Sequence, residues 1–282
     1  MKRKTSPTAL LWDLVSGNWR IILGIASLVL FVVVWWLVSW QLEEAGARIS
    51  PYIPGPGSVG EALWSSFFEP LPGFSPIEDI TMGDLIISSL IRVFWGFLIA
   101  LGIAFPLGII MGRIGAAEAF GRPIVEMFRP IPPLAWVPIF LLVFGSFWGP
   151  TGIVFLGAFF PILLNVMFGV KSVDPMLVDA ARTLGAKRGH IFTKVIIPSS
   201  VPYLMTGVTV GLGVAWMCIV AAEITPLKGG VGLGYYILYS ANFLGRYEYT
   251  YATMIIIGIL SMLTTGVAAL IERRVSKWMG LK

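Results

Sequence analysis

Several kinds of residue are scarce in this chain, and each scarcity excludes a class of site. Among 282 residues there are one cysteine, Cys218, and one histidine, His190. A disulfide needs two cysteines, and protein zinc sites need several cysteine or histidine ligands at short spacings, so we expect neither a disulfide nor a metal site. Charged residues make up 12% of the chain, against roughly 25% in soluble domains, which disfavours a soluble globular fold.

Motifs for catalysis and nucleotide binding are missing as well. No G-x-x-x-x-G-K-[ST] sequence occurs, so the chain is not expected to bind ATP in a P-loop. Gly230-x-Gly232-x-Gly234 fits part of a dinucleotide-binding fingerprint, but no strand is predicted before it, and we interpret it as a flexible turn. The sequence therefore predicts no catalytic residue and no cofactor bound by this chain. Transport across a membrane or a structural role in one remains.

Long apolar runs are what the chain has in abundance. Hydrophobic residues make up 57% of it, and eleven residues are tryptophans, which favour bilayer interfaces. A helix needs about 20 apolar residues to cross the hydrocarbon core of a bilayer. The runs predict an all-α polytopic membrane protein with six transmembrane helices, at residues 21–40, 85–111, 133–147, 151–170, 201–222 and 251–271.

The first apolar run has a competing interpretation as a cleaved signal peptide, because Ala45-Gly46-Ala47 resembles a cleavage site. The apolar stretch of a signal peptide is only about 7–15 residues long, which is shorter than this run. Glu43 and Glu44 also crowd the supposed cleavage site. We therefore predict a retained span.

The segments between the predicted spans differ in composition. Residues 1–20 form a short polar arm on the cytoplasmic side. Residues 41–84 are rich in proline, glycine and acidic side chains, and we expect a partly ordered loop outside the membrane with a short helix at Gly60–Phe68. The other connections are a basic connector at 112–132, a tight turn at Gly149-Pro150, a charged segment at 171–200, a glycine-rich outer loop at 223–250 and a basic tail at 272–282.

Lysine and arginine are distributed unequally between the two sides of this topology. Six spans place both termini on one side, and that side carries 16 of the 20 basic residues. The opposite side carries Arg48, Lys228 and Arg246, and Arg92 lies within a span. The positive-inside rule then places both termini and residues 171–200 in the cytoplasm. The same bias accounts for the basic isoelectric point, so no nucleic-acid partner is predicted.

Residues 171–200, which we call the coupling segment, read as two short helices presented outside the membrane. One apolar face recurs at helical spacing, formed by Leu177, Ala180, Ala181 and Leu184. Asp174 can cap the first helix, and Pro175 suits its first position. Gly185 can end that helix in a left-handed turn, and the second helix is expected to stop near Pro198. We predict that another protein docks on this segment.

Polar groups inside the predicted spans are the candidates for a translocation pathway. An ionised side chain at the centre of a spanning helix costs roughly 2.5–3.5 kcal/mol on insertion scales. Arg92 and Glu223 each lie near an end of a span, so they either extend to the interface or face a shared polar cavity, paired with each other or meeting a solute. For Trp136, Asn165 and Trp216, the alternatives are a place on that cavity and plain helix packing.

The coupling segment resembles a signature of the membrane subunits of ABC importers, E-A-A-x-x-x-G-x9-I-x-L-P. Here it reads Asp179-Ala180-Ala181, Gly185, Val195, Ile197 and Pro198, with the spacing intact. The substitutions keep charge or apolar character. The resemblance implies a type I ABC importer (MetI-like) permease fold over residues 85–282. It also implies a coupling helix that docks an ATPase through Asp179, Ala180, Ala181, Arg182, Leu184, Gly185 and Pro198.

Further stretches are similar to the nitrate/sulfonate/taurine branch of these permeases. They are residues 129–136 (RPIPPLAW), 160–165 (FPILLN) and 221–223 (AAE), with a proline-rich entry segment at 53–56. Members of this branch import small anions (nitrate, bicarbonate, sulfonates, taurine), and some relatives take thiamine precursors or other compounds. Residues 225–234 form a longer loop than we expect for the branch. The resemblance therefore implies a small anionic solute, with a non-anionic one as the alternative.

The resemblance also implies an assembly in the prokaryotic cytoplasmic (inner) membrane. Two permease copies would form a homodimer in the lipid bilayer, two ABC ATPase subunits would dock on them and use ATP and Mg, and an extracytoplasmic solute-binding protein would deliver the solute. Two other classes remain open. One is a secondary transporter driven by an ion gradient, with Arg92 and Glu223 as a charged relay. The other is a membrane scaffold that transports nothing.

Overall fold

The computed structural model describes residues 7–73, 80–225 and 231–278, and every regular element within them is helical. Ten α-helices are joined by two short 3₁₀ turns, at Ser50–Tyr52 and Pro133–Trp136, and by one π-helical segment at Phe192–Ile196. The helices are α1 (Pro7–Glu44), α2 (Pro56–Phe68), α3 (Met82–Arg113), α4 (Gly115–Phe128), α5 (Val137–Lys171), α6 (Pro175–Thr183), α7 (Arg188–Ile191), α8 (Ile197–Glu223), α9 (Leu233–Asn242) and α10 (Tyr247–Trp278).

Five helical stretches in the described ranges are long and apolar enough to cross a membrane. They are Ile21–Glu44, Met82–Arg113, Pro133–Lys171, Arg188–Glu223 and Tyr247–Lys277. Four of them extend past a predicted span by several residues, because the helices continue into polar flanks that hydropathy alone excludes. The two spans predicted at 133–147 and 151–170 both lie in one of these stretches, α5 with the turn before it.

The helix α1 is longer than expected and touches the rest of the chain at few points. It begins at Pro7, so much of the predicted polar arm is helical. None of the apolar window in Ile21–Glu44 is buried. One contact is made by Trp35, whose indole Nε1 donates to the carbonyl of Pro54 at 3.0 Å and whose ring stacks on Tyr251 at 6.1 Å.

The proline- and glycine-rich stretch after α1 is more regular than the sequence suggested. The helix α2 begins at Pro56, four residues before the predicted Gly60. Pro56 stands in the first turn, where a missing N–H costs nothing and the fixed φ suits a helix, so the proline starts a helix here instead of preventing one. Val59, Ala62 and Ser66 form the buried face of α2, which packs against α10.

Close helix contacts at glycines build the centre of the bundle, where α5 lies between α3 and α8. A Cβ added at Gly96 of α3 would lie 2.5 Å from the carbonyl oxygen of Thr151. One added at Gly157 of α5 would lie 2.4 Å from Cys218 Sγ. Small residues therefore let the backbones approach closely, as they do in other membrane bundles. Gly207 and Gly211 of α8 likewise face α5.

The chain reverses at Gly145, not at the predicted Gly149-Pro150 turn. Gly145 has φ +73° and ψ −170°, which only glycine adopts easily. A Cβ on Gly149 would lie 3.0 Å from the Cα of Leu141, whereas eight residues of straight helix rise about 12 Å. The element α5 is therefore a helical hairpin. Gly149 and Pro150 are buried within its second arm, where they pack against the first.

The predicted basic connector at 112–132 contains the helix α4, which was not expected from the sequence. Lys171, at the end of α5, forms an ion pair with Glu118 in the first turn of α4. The other end of α4 leads into the first arm of the hairpin, so residues 115–144 run antiparallel to 146–171. An amphipathic helix that carries Glu118, Arg122 and Glu126 and is followed by the prolines of residues 130–133 has too weak an apolar pattern to be recognised as a long apolar run.

The two ends of the bundle are distinguished by the short helices that lie there. The helix α6 lies at the end where α3 and α5 finish and α8 begins, which we call the α6 end. The helix α9 lies at the opposite end, beside the start of α3 and the end of α8, together with α2 and α10. We call this the α9 end.

Candidate coupling and translocation sites

The first helix of the coupling segment has the local structure that its sequence predicts. Asp174 Oδ1 accepts a hydrogen bond from the backbone N–H of Met176 at 2.8 Å, and Pro175 holds the first helical position. Gly185 has φ +78°. The N–H groups of Gly185 and Ala186 donate to Arg182 and Ala181 at 2.9 and 3.0 Å, which is the paired arrangement of a Schellman motif. Glycine is favoured here because it takes a left-handed conformation without a Cβ clash.

The exposed face of α6 is apolar. Met176, Leu177 and Leu184 expose 74%, 53% and 88% of their surface. With exposed Ala180 they lie on one side of the helix. Ala181, which was expected on this face, is instead half-buried against the core of the α6 end. Large apolar side chains clustered on a small charged helix indicate a surface that another protein covers.

The ion pair on α6 contributes little by itself. Arg182 Nη1 lies 2.9 Å from Asp179 Oδ1, and both side chains are more than half exposed. Pairs of this kind are worth well under about 1 kcal/mol because solvent screens them. Their charges remain available to a partner surface.

The second helix of the coupling segment does not stop at Pro198, as predicted, but continues into the membrane. Residues 188–223 form one helical stretch in which α7, the π segment and α8 follow without a break. Pro198 has no N–H to donate to Lys194, and it falls where α8 begins. A π segment absorbs such a missing bond without ending the helix, and such segments often mark functional positions. The coupling segment is thus joined directly to a transmembrane helix.

A cavity of about 790 Å³ lies between α3, α4, α5 and α8. Its size is in the usual range for small-molecule sites. Two of the predicted pathway residues, Trp136 and Asn165, line it. Arg129 supplies a positive charge there, and the Asn165 side-chain amide donates to the carbonyl of Pro161 at 2.8 Å. Most of the rest of the wall is apolar or aromatic, including Phe120, Phe128, Phe155 and Phe159.

The other predicted pathway residues lie elsewhere. Trp216 is 2% exposed, and its indole N–H donates to Thr264 at 2.8 Å, so it packs α8 on α10. Arg92 and Glu223 form a buried ion pair at the α9 end, with Nη1 and Oε1 2.7 Å apart. Their side chains expose 5% and 1%, so neither extends to the membrane interface.

The carboxylate of Glu223 also accepts hydrogen bonds from its surroundings. Ser89 Oγ donates to both carboxylate oxygens at 2.8 and 3.0 Å, and the backbone N–H of Gly234 donates to Oε2 at 3.1 Å. A Cβ on Gly232 would lie 2.4 Å from the Glu223 carboxylate carbon. Gly232 and Gly234 are therefore close-approach positions and not the flexible turn that we expected; Gly230 lies outside the described residues.

Sequence reasoning missed two features that matter to these sites. Arg129 was noted in the basic connector and in the stretch 129–136 that resembles the branch, but it was not named as a pathway residue, although it lies on the cavity wall. The paired glycines Gly232 and Gly234 follow the buried Glu223 by nine and eleven residues along the chain, a spacing that has no general sequence signature.

Comparison with known proteins supports the resemblance to ABC importer permeases. Residues 104–277 match the family model for the binding-protein-dependent transport system inner membrane component. The chain is 40% identical to a Methanocaldococcus jannaschii protein that carries the name of an ABC transporter permease, over 92% of each chain. It is 33% identical to the taurine transport system permease protein TauC of Escherichia coli (93% and 91% covered). It is 30% identical to the nitrate import permease protein NrtB of Leptolyngbya laminosa (97% and 88%).

The fold also matches a solved transporter. The MetNI methionine ABC transporter, in an inward-facing conformation, aligns with a TM-score of 0.57 at 22% identity, covering 69% of this chain and 95% of that one. This confirms the expected MetI-like helical fold. The chain belongs to the family of binding-protein-dependent transport system inner membrane components, and is a non-enzymatic permease subunit of an ABC importer whose ATPase is a separate protein.

Proposed function

We propose that α6 docks an ABC ATPase and that the α6 end of the bundle faces the cytoplasm. The observation that carries this proposal is the exposed apolar face of Met176, Leu177, Ala180 and Leu184 on a helix held rigidly by an N-cap and a Schellman motif. Asp179 and Arg182 flank this face, and Gly185 fixes the direction in which the chain leaves it. The excess of lysine and arginine on this side supports the orientation.

The route by which ATPase movement reaches the membrane follows from the continuity of residues 188–223. A rigid-body displacement of α6 is passed through the Gly185 turn to α7. The π segment and α8 then carry it along the bundle, because a helix resists stretching and bending far more than a loop does. Pro198 and the π segment are where this stretch can change direction. Movement of packed helices as rigid bodies is a common form of transporter switching.

Two copies of this chain are proposed to form the permease unit. Each copy presents one α6 and therefore one docking face. Two ATPase subunits need two such faces, and a homodimer with two-fold symmetry supplies them in equivalent positions. A solute-binding protein would meet the opposite, extracytoplasmic end.

The proposed solute is a small anion that passes along the cavity beside α4 and α5. Arg129 gives the cavity a positive charge, and Trp136 and Asn165 lie on the same wall. Taurine and nitrate, named for two of the relatives, both carry an anionic oxygen group. The aromatic lining favours a second candidate, an organic solute with an apolar or heteroaromatic body, which would stack on Phe155 or Phe159.

The driving force can be tested in proteoliposomes that contain the permease, its ATPase and its binding protein. We expect uptake to require ATP and to stop when the catalytic glutamate of the ATPase is replaced. Uptake that persists with this ATPase variant and follows an ion gradient would support a secondary transporter instead. Native mass spectrometry of the same complex would show whether the chain, the ATPase or both occur in two copies.

The solute class can be tested with Arg129→Gln. Identification of the compound that the binding protein holds gives the solute, and its uptake is then compared in the two permeases. For an anion, we expect uptake to fall severalfold in the variant, because the only charge described on the cavity wall is lost. Arg122→Gln is the matched control, since Arg122 lies on the same helix but pairs with Glu118 and Glu126. Equal uptake in both variants would favour the non-anionic solute.

A further inference from the structure

The start of α9 is held by side chains from two transmembrane helices. Its N-cap residue is Gly232, which has no side chain with which to cap the helix. The first N–H, from Leu233, donates to Ser89 Oγ of α3 at 3.0 Å. The second, from Gly234, donates to Glu223 Oε2 of α8 at 3.1 Å. Gly234 is the second helical position, which a capping side chain normally serves, and Leu233 is another of the first four N–H groups that have no partner within the helix, so the cap of α9 is provided by the bundle beneath it.

The charge of Glu223 suits this place. The N-terminus of a helix carries a partial positive charge, which a carboxylate stabilises. Arg92 lies on the other side of the carboxylate and balances its charge, and it also reaches the carbonyl of Val231 at 3.4 Å. Ser88 donates to the same carbonyl at 2.8 Å. Three backbone groups of residues 231–234 are thus bound to a buried polar cluster on α3 and α8.

Close contact makes this attachment rigid. A Cβ on Gly234 would lie 2.5 Å from the carbonyl oxygen of Val220, and one on Gly232 would meet the Glu223 carboxylate. At Gly234 the backbone of α9 lies directly against the backbone of α8. Beyond this point α9 packs its buried Tyr236 with α2 and α10, and Tyr239 donates to the carbonyl of Gly73 at 2.7 Å. Displacement of Glu223 therefore displaces the whole layer at this end.

Glu223 ends the same helical stretch that begins at Arg188, beside the proposed ATPase docking site. We propose that Glu223, held by Arg92, is a positioning residue that makes α9 follow the movement of α8, so that nucleotide-driven movement at the α6 end sets the position of the helix at the opposite end. This inference rests on the proposed docking of an ATPase on α6. If the ATPase docks on α6, the surface formed by α9 faces the side of the membrane from which the binding protein delivers the solute.

The test compares two double variants of the full chain, in complex with its ATPase in lipid nanodiscs. Arg92→Met/Glu223→Leu removes both charges and every acceptor for Gly234, while apolar side chains of similar volume keep the core filled. Arg92→Met/Glu223→Gln also removes both charges but retains one acceptor oxygen. Arg246→Met/Glu248→Leu is the control, because it removes an exposed ion pair of 2.9 Å at the same end.

Amide hydrogen exchange is measured in the nucleotide-free complex and after trapping with ATP and vanadate. In the wild type and in the control we expect exchange to change on trapping in both α6 and α9. In the Glu223→Leu double variant we expect the change in α6 to remain and the change in α9 to shrink at least about fivefold, the lower limit of ordinary coupling between sites. The Glu223→Gln double variant should recover part of the α9 response, since it restores a cap without an ion pair.

Three results would overturn the inference: no response of α9 in the wild type while α6 responds, an undiminished response in the Glu223→Leu double variant, or equal responses in the two double variants. The last would show that the acceptor for the Gly234 N–H does not carry the movement to α9. Failure of wild-type α6 to respond to trapping would count against the proposed docking function itself. If the Glu223→Leu double variant does not fold, the Glu223→Gln double variant is compared with the wild type. A smaller α9 response in the variant supports the inference, and an equal response contradicts it.

Discussion

The α9 end and the α6 end of this permease handle their polar and apolar groups in opposite ways. At the α9 end an ion pair, a serine and two glycines are buried together, and the short helix there is capped from below. At the α6 end the short helix caps itself with Asp174, and its large apolar side chains are exposed. One short helix is capped by its own segment, and the other is capped by two transmembrane helices.

The comparison contrasts a buried polar cluster that holds α9 within the chain with an exposed face of α6 that is proposed to bind another protein. Buried polar clusters are costly to disrupt, because each group loses its partners without gaining water. The exposed apolar face of α6 is the surface that we propose an ATPase covers. The continuous stretch from Arg188 to Glu223 connects the two. Substitutions at the two ends are therefore expected to differ in kind, by affecting stability at one end and ATPase coupling at the other.

The largest effect on stability is expected from Arg92→Ala. The substitution leaves the Glu223 carboxylate buried without its cation, and removal of one partner of a buried pair costs about 3–5 kcal/mol. Thermal unfolding in detergent, followed by circular dichroism, measures this loss. The exposed pair at the α6 end provides the control, since Arg182→Ala should shift the unfolding temperature hardly at all. Equal shifts would remove the distinction between the ends.

A smaller loss, about 1–3 kcal/mol, is expected from Gly232→Ala. The new methyl group would lie 2.4 Å from the carboxylate carbon of Glu223 and would push α9 away from α8. The same unfolding experiment detects this, together with faster amide exchange in residues 233–242. Gly60→Ala is the matched change, because nothing lies within 4 Å of its added Cβ and alanine favours the helix α2. Similar destabilisation by both would contradict the close approach at Gly232.

At the α6 end, Gly185→Ala should cost roughly 1–2 kcal/mol, because a left-handed conformation strains any residue with a Cβ. The backbone has φ +78° and open space around it, so strain and not a clash is the cause. We expect reduced ATPase stimulation as α6 changes its angle. Gly185→Asn should restore much of the activity, since asparagine tolerates this conformation. If the alanine variant matched the wild type in stability and in ATPase coupling, the turn would have no part in docking.

The smallest effect on stability, within about 0.5 kcal/mol, is expected from Leu184→Ser, because this side chain is 88% exposed. Its effect on function should nevertheless be large, since the contact with the ATPase loses an apolar side chain. ATPase binding to the permease in nanodiscs, measured by biolayer interferometry, should weaken severalfold. Phe243→Ser, 70% exposed at the opposite end, should leave ATPase binding unchanged. Weakened binding in both variants would place the docking surface elsewhere.

Much of the helix pattern could be predicted from the sequence, and the errors have identifiable causes. Local signals were reliable where one residue decides the outcome, as at Asp174 and Gly185 of α6. Local signals were misleading where glycines or prolines at different positions have different structural roles. Gly149-Pro150 reads as a turn but is buried in a helix, and Gly145 makes the turn without a proline beside it. The prolines before α2 were read as breakers although Pro56 begins that helix.

The candidate sites divide in the same way. The apolar face of α6 was predicted from the helical spacing of its residues. Ala181, at the edge of this face, packs instead on the hydrophobic core beneath the helix. Trp136 and Asn165 come together on one cavity, whereas Trp216 packs in the core. Hydropathy marks all three as polar or amphipathic residues in apolar runs. It carries no information on which side of a helix faces a space, since that depends on the neighbouring helices.

The sequence by itself determined that this protein crosses a membrane, that it contains no P-loop motif, and that a capped amphipathic helix lies at residues 175–183. These follow from apolar runs, from absent motifs and from local backbone preferences, all of which act over a few residues. Only the tertiary structure decided that Arg92 and Glu223 meet and that Glu223 caps α9. These residues are far apart in the chain, and a contact of that kind depends on how α3, α8 and α9 pack, which no local rule specifies.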